Sequence, residues 1–131
     1  MNDIMKNKKE MLERKRWVVV GVTTNEEKFG YKIYKTLKQH QYEVWGINPK
    51  YKEIEGETIY PSFDKLPEKP ECISVVVPPA VSIKLVEEAA KNGIDYIWFQ
   101  PGTYDNEVLQ KAHELQLKTV YNDCVLVTLG H

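Results

Sequence analysis

Residues 16–31 read Arg16-Trp-Val-Val-Val-Gly-Val-Thr-Thr-Asn-Glu-Glu-Lys-Phe-Gly-Tyr31. Trp17 to Val22 is an apolar, largely β-branched run with no polar alternation, the pattern of a strand covered on both faces of a parallel sheet. The text then changes at once to Gly21, Thr23, Thr24, Asn25, three charges and Gly30, before the spacing of Tyr31, Tyr34 and Leu37 announces a helix. Strand, polar turn and helix form the first half of a βαβ unit. Ligands of open α/β sheets bind at the carboxyl ends of such strands, where a helix N-terminus offers unpaired N–H groups to an anion. Thr23 to Gly30 is therefore the first candidate for a phosphate-binding turn.

The same alternation continues in both directions. A helix is predicted from about Gly30 to His40, with Ile33, Tyr34 and Leu37 inward, and a second strand from Glu43 to Asn48, stopped by Pro49, which has no N–H to donate. No glycine stands where the chain must turn between that helix and strand, so Gln41 is expected to take the left-handed cap. Tyr51 to Glu71 is rich in turn residues and is expected to be mostly irregular, with Ser62 capping at most one helical turn before Pro67. Cys72 to Val77 reads as a third buried strand ended by Pro78-Pro79. The following helix has Val81, Leu85, Val86, Ala89 and Ala90 on one face and a stop at Asn92-Gly93. Ile94 to Phe99 is a fourth strand. Asp105 caps a helix to about Leu115, a short fifth strand runs from Lys118 to Tyr121, and the tail after Asn122 is too brief for another unit.

With 131 residues, the chain is expected to form one core. Its 42% hydrophobic and 28% charged residues suit a globular protein, and no apolar run approaches the roughly 20 residues of a membrane span. The Lys-rich, polar start lacks a secretory pattern, so a cytoplasmic protein is expected. The net charge of −1 splits into +3 over residues 1–16 and −4 over the remainder. That imbalance is too small for a nucleic-acid face. Ile4, Met5, Met11 and Leu12 at helical spacing predict that residues 1–15 form an amphipathic helix packed on a domain of residues 16–131. No membrane contact is expected of it, and the sequence names no protein partner.

The expected architecture is α/β, a three-layer αβα fold of about five parallel strands in the order 3-2-1-4-5. That order places strands 1 and 4 side by side with the switch-point crevice between them. It also puts Cys72 and Cys124 on opposite sheet edges, too far apart to bond. Neither cysteine belongs to a CxxC pair, so both read as reduced packing residues. His40, His113 and His131 fall on helix ends and a terminus, Trp45 and Trp98 read as core, and no nucleophile and base are brought together. Gly21 and Gly30 do not make GxGxxG. NAD recognition wants Asp or Glu at the end of the second strand, whereas Asn48-Pro49-Lys50 suits a phosphorylated ribose, leaving CoA and NADP, or a small α/β enzyme acting on a phosphorylated substrate.

Gly21-Val-Thr-Thr-Asn25 with Gly30-Tyr31, Ile47-Asn48-Pro49-Lys50 with Gly56, Tyr60-Pro61-Ser62 and Leu66-Pro67, Val77-Pro78-Pro79, Trp98-Phe99-Gln100-Pro101-Gly102 and Asp123-Cys124 together resemble the small single-domain CoA-binding proteins. Those are relatives of the CoA-binding domain of succinyl-CoA synthetase α subunits. The resemblance covers Trp17 to Cys124 and implies a Rossmann-like fold that binds coenzyme A or an acyl-CoA, a nucleotide-binding role without catalysis. Carried over by position, it assigns the pyrophosphate to Thr23, Thr24, Asn25, Gly30 and Tyr31, with Gly21 and Val22 also among the binding residues. Asn48, Pro49 and Lys50 take the ADP end, Val77, Pro78 and Pro79 the adenine and ribose side, and Gln100, Pro101 and Gly102 the floor. Where the family has Arg-Pro this chain has Lys28-Phe29; a lysine supplies a point charge in place of the arginine fork.

Overall fold

The computed structural model describes residues 3–129. In chain order the elements are α1 (Ile4–Leu12), β1 (Arg16–Val20), α2 (Phe29–Gln39), β2 (Glu43–Ile47), β3 (Glu53–Ile54), β4 (Glu57–Tyr60), β5 (Cys72–Val75), α3 (Pro79–Lys91), β6 (Tyr96–Phe99), α4 (Asn106–Glu114), β7 (Lys118–Val120) and α5 (Val125–Leu129), with one 3₁₀ turn at Phe63–Lys65. They form a three-layer α/β fold around one seven-stranded sheet. Trp17 and Val19 of β1 point to a core shared with Ile33 and Leu37 of α2, Met11 of α1 and Val125 of α5. Val18 and Val20 point to the opposite core with Leu85 and Val86 of α3 and Val108 and Ala112 of α4. This two-sided burial is why the run shows no polar alternation.

The sheet order is β3-β4-β2-β1-β5-β6-β7, parallel except for the β3/β4 pair. This corrects the expected 3-2-1-4-5 order: the strand from Cys72 lies beside β1, Trp17 opposite Cys72 and Val20 opposite Val75. Two features of the chain account for it. The segment expected to be irregular folds into a hairpin through Glu55-Gly56, both at positive φ (51° and 82°) as a two-residue hairpin turn requires. Its second strand, β4, takes the free edge of β2. An edge position would also have exposed one side of Cys72–Val75, whose four residues are all buried.

Reversal of the winding thus falls between β1 and β5. The two cysteines are free, but not by lying on opposite edges. Cys72 opens β5 beneath Met11 at the amino ends of the strands, and Cys124 follows β7 at their carboxyl ends.

Three helices end in the same way. In α2 the N–H of Tyr42 bonds to the Leu37 carbonyl and that of Gln41 to Lys38, with Gln41 at φ 69° as expected. Gly93 (φ 71°) does this for α3 and Gln116 (φ 61°), unforeseen, for α4. Asp105 caps α4 by accepting from the N–H of Val108 at 2.9 Å. Ser62 stands at the N-cap of the 3₁₀ turn, but its hydroxyl goes to Asp64 and not to the backbone.

On α1, Met11 is buried while Met5 is 76% exposed, so the apolar stripe differs from the expected one. The inward place is taken by Asn7, whose Nδ2 donates to the Thr119 carbonyl at 3.0 Å. Val81, expected inward on α3, is 47% exposed. The tail after Asn122 folds into α5. Trp98 is fully buried and Trp45 half-buried; His131 lies outside the described residues. No described helix is long and apolar enough to cross a membrane.

Candidate functional site

The carboxyl ends of four strands, β2, β1, β5 and β6, are drawn into line by three backbone bonds. Gly21 N–H reaches the Ile47 carbonyl, Val76 N–H the Val20 carbonyl and Gln100 N–H the Val75 carbonyl. Above them lies a crevice of about 600 Å³, within the usual size of ligand sites. It opens where the winding reverses, between Gly21 after β1 and Val76-Val77 after β5. This differs from the expected place between the first and fourth strands because β5, the third of the expected strands, lies beside β1.

Its floor needs close backbone approach. Gly21 has φ 105°, and a Cβ there would stand 2.7 Å from the Val76 carbonyl oxygen, so strain and space both exclude a side chain. From Gly21 the chain enters a turn held by its own polar groups. Thr23 Oγ1 accepts from Asn25 N–H at 3.2 Å and Asn25 Oδ1 from Glu27 N–H at 3.0 Å. Lys28 then takes the N-cap of α2 in extended backbone, φ −93° and ψ 153°, with no side-chain cap bond. An ammonium has no acceptor to offer, so the first amides of α2 and the positive end of its dipole face the crevice uncapped by any side chain.

The second wall comes from the segment after β2. Asn48 ties it to the turn: its Nδ2 donates to the Val22 carbonyl at 2.9 Å, and its Oδ1 accepts from Lys50 N–H at 2.9 Å. Tyr51 completes the wall, its hydroxyl 3.1 Å from Thr23 Oγ1. Hydrogen bonding with Thr23 first, and then with Thr24, holds this phenol below its ordinary pKa. Lys28 and Lys50 line the crevice with Glu27, a cationic balance. A second, largely apolar crevice of about 460 Å³ adjoins, sharing Gly21, Asn48, Lys50 and Val77 and walled by Pro49, Phe63, Val81 and Leu85.

Of the residues expected to bind, Gly21, Thr23, Lys28, Gly30, Asn48, Lys50, Val77, Pro78 and Gly102 line the main crevice. Pro49 lines the apolar one. The others are placed elsewhere. Val22 is buried, facing Gly46. Thr24 and Asn25 are exposed on the turn, and Pro79 starts α3. Tyr31 turns away to Glu55, whose other oxygen accepts from Lys35 Nζ at 2.7 Å.

Gln100 is no floor residue: it is fully buried, its Nε2 donating to Ser74 Oγ and its Oε1 accepting from Val125 N–H, both at 3.1 Å. Residues the sequence reading missed are Glu27, Phe29, Tyr51, Val76 and Thr103. Tyr51 had a signal, standing next to Lys50 in an already suspected turn. Phe29, 44% exposed, had none, because a helix-start phenylalanine ordinarily reads as core. Among the described residues no group of three His, Cys, Asp or Glu is placed to hold a metal ion.

Comparison with known proteins agrees with this geometry. A family model described as "CoA binding domain" matches residues 15–130. An ADP-forming acetate–CoA ligase from Archaeoglobus fulgidus is 38% identical over 77 residues, 59% of this chain and 11% of the ligase. Another from Methanocaldococcus jannaschii is 28% identical over 121 residues, 86% of this chain and 17% of the ligase. The chain therefore spans less than a fifth of the length of these two curated relatives. A hypothetical protein from Pyrococcus horikoshii superposes with a TM-score of 0.87 at 33% identity, covering 95% of this chain and 88% of that one.

Proposed function

The chain belongs to the CoA-binding domain family, and on that premise we propose that it binds coenzyme A, free or acylated, at the carboxyl edge of its sheet without catalysing a reaction itself. The observation that carries the reading is the uncapped N-terminus of α2 opening into a crevice flanked by Lys28 and Lys50. Oriented amides and a helix dipole suit a pyrophosphate. Lys50 borders both crevices, which suits a ribose phosphate lying between a polar diphosphate and a flat apolar base. The adenine then goes against Val77 and Val81, and the pantetheine leaves past Pro101 and Gly102. The protein works in the cytoplasm, with a small nucleotide as its ligand and no nucleic acid or membrane.

Isothermal titration with CoA, acetyl-CoA, NADP and NAD tests the reading. CoA or acetyl-CoA is expected to bind tightest and NAD weakest, since no carboxylate stands at the end of β2 for a ribose diol. NADP binding tighter than CoA, or no binding of either CoA species, overturns it.

A further inference from the structure

Thr23 and Tyr51 come from different strand ends, yet their hydroxyls meet at 3.1 Å on the rim of the main crevice. Two hydroxyls carry two protons, and the bond between them uses one. The Thr23 oxygen also accepts from Asn25 N–H. Whichever of the pair donates, one hydroxyl proton is left for a further acceptor: Thr24, which also bonds the phenol, or a ligand in the crevice that the start of α2 also lines.

Tyr51 is also held in place. Its ring is half-buried and packs on the core shared by α1, α2 and α5. Its N–H bonds to the Asn48 carbonyl at 3.2 Å, and the hairpin that follows it is tethered to α2 through Lys35–Glu55 at 2.7 Å and Lys38–Glu57 at 3.2 Å. A phenol fixed in this way loses little freedom on meeting a ligand.

We propose that the Tyr51 hydroxyl is a ligand-binding donor to diphosphate oxygens held at the N-terminus of α2, which lines the same crevice, with Thr23 as its partner when no ligand is bound. For its natural ligand the inference rests on the CoA reading; for its chemistry it requires only a diphosphate. Donation to an anionic oxygen is stronger than donation within a neutral hydroxyl pair, so the Tyr51 O–H points to the ligand when one is bound. Among residues of the crevice rim, Tyr51 thus reads the diphosphate where Lys50 reads the ribose phosphate.

The test is titration of wild type and Tyr51→Phe with CoA, 3′-dephospho-CoA and inorganic pyrophosphate, with melting temperatures alongside. Phenylalanine keeps the ring, so stability is expected to hold. Affinity should fall about ten- to a hundredfold, equally for CoA and dephospho-CoA, because both carry the diphosphate. Unchanged CoA affinity in Tyr51→Phe overturns the inference, as does a loss confined to CoA, which would move Tyr51 to the ribose phosphate. Pyrophosphate binding that depends on Tyr51 without any CoA binding would remove the CoA reading and leave this one standing. Absence of binding by all three to the wild type would overturn both.

Discussion

Gly30 packs directly on the carbonyl of Gly21: a Cβ built on Gly30 would lie 2.3 Å from that oxygen. The first turn of α2 is thereby seated on the end of β1, and the seat sets how close the helix amides come to the crevice floor. In the sequence Gly30 read as a residue that lets a phosphate approach. The structure gives it a prior task, letting the helix approach the strand.

Gly30→Ala is consequently expected to destabilise the fold as well as the site. The nearest atoms are backbone and cannot rotate away, so overpacking should cost about 1–3 kcal/mol, seen as a lower melting temperature without any ligand. A variant that melts with wild type while losing affinity would show that α2 shifts freely and would refute the seat.

Gln41 and Gln116 hold left-handed caps that α3 gives to Gly93. The conformation costs a non-glycine residue about 1–2 kcal/mol. Glycine gives back part of that through its freer unfolded chain, so Gln41→Gly and Gln116→Gly should each gain about 0.5–1 kcal/mol, or about 2–5 °C in thermal unfolding. No rise in either variant would mean that the glutamine side chains compensate their own strain.

Lys50 borders both crevices. A charge-assisted contact to the ribose 3′-phosphate is worth about 1.5–3 kcal/mol, so Lys50→Ala should bind CoA about ten- to a hundredfold more weakly. Titration with 3′-dephospho-CoA should show no difference between the two proteins. Equal losses for both ligands would place Lys50 on the diphosphate instead.

Glu55 joins the hairpin to α2, and hydrogen bonds from Lys35 and then Tyr31 hold its carboxyl below the ordinary 4.5. A depressed acid stabilises the fold above that value, and the contribution disappears as pH falls below it. Tyr31, pushed up to about 12 from 10.0 chiefly by its bond to Glu55, behaves in the opposite sense: its contribution is whole below 10 and is lost as pH rises toward 12. Glu55→Gln should flatten stability against pH in both windows. The group is exposed, so the effect is modest and shrinks with salt; matching profiles at low salt would show that the tether is not held in solution.

Burial pushes the Cys72 thiol up in pKa, whereas Cys124 is half-exposed. The thiolate is the reactive form, so iodoacetamide should label Cys124 in the native protein and reach Cys72 only after unfolding. Peptide mass spectrometry reads both sites. Labelling of native Cys72 at the rate of Cys124 would mean that α1 opens readily from β5.

The sequence by itself determined most of the elements, though not the hairpin β3/β4 or α5, together with the α/β class and the turn after β1. Those depend on neighbours a few residues apart: the unbroken apolar run Trp17–Val20, prolines at positions 49 and 78, the Asp105 cap and the missing glycine at Gln41. Only the tertiary structure decided which strand lies beside which. Pairing is a competition between edges distant in the chain, and the hairpin of β3 and β4, two short strands too polar to read as such, won the edge of β2 through β4, leaving β5 beside β1. That placement in turn moved the crevice to Gly21 and Val76, buried Gln100 under α5, and brought the Tyr51 hydroxyl to Thr23 across 28 positions of chain. A side chain's type is written locally, but the atom it meets is fixed by packing, and a binding site is made of such meetings.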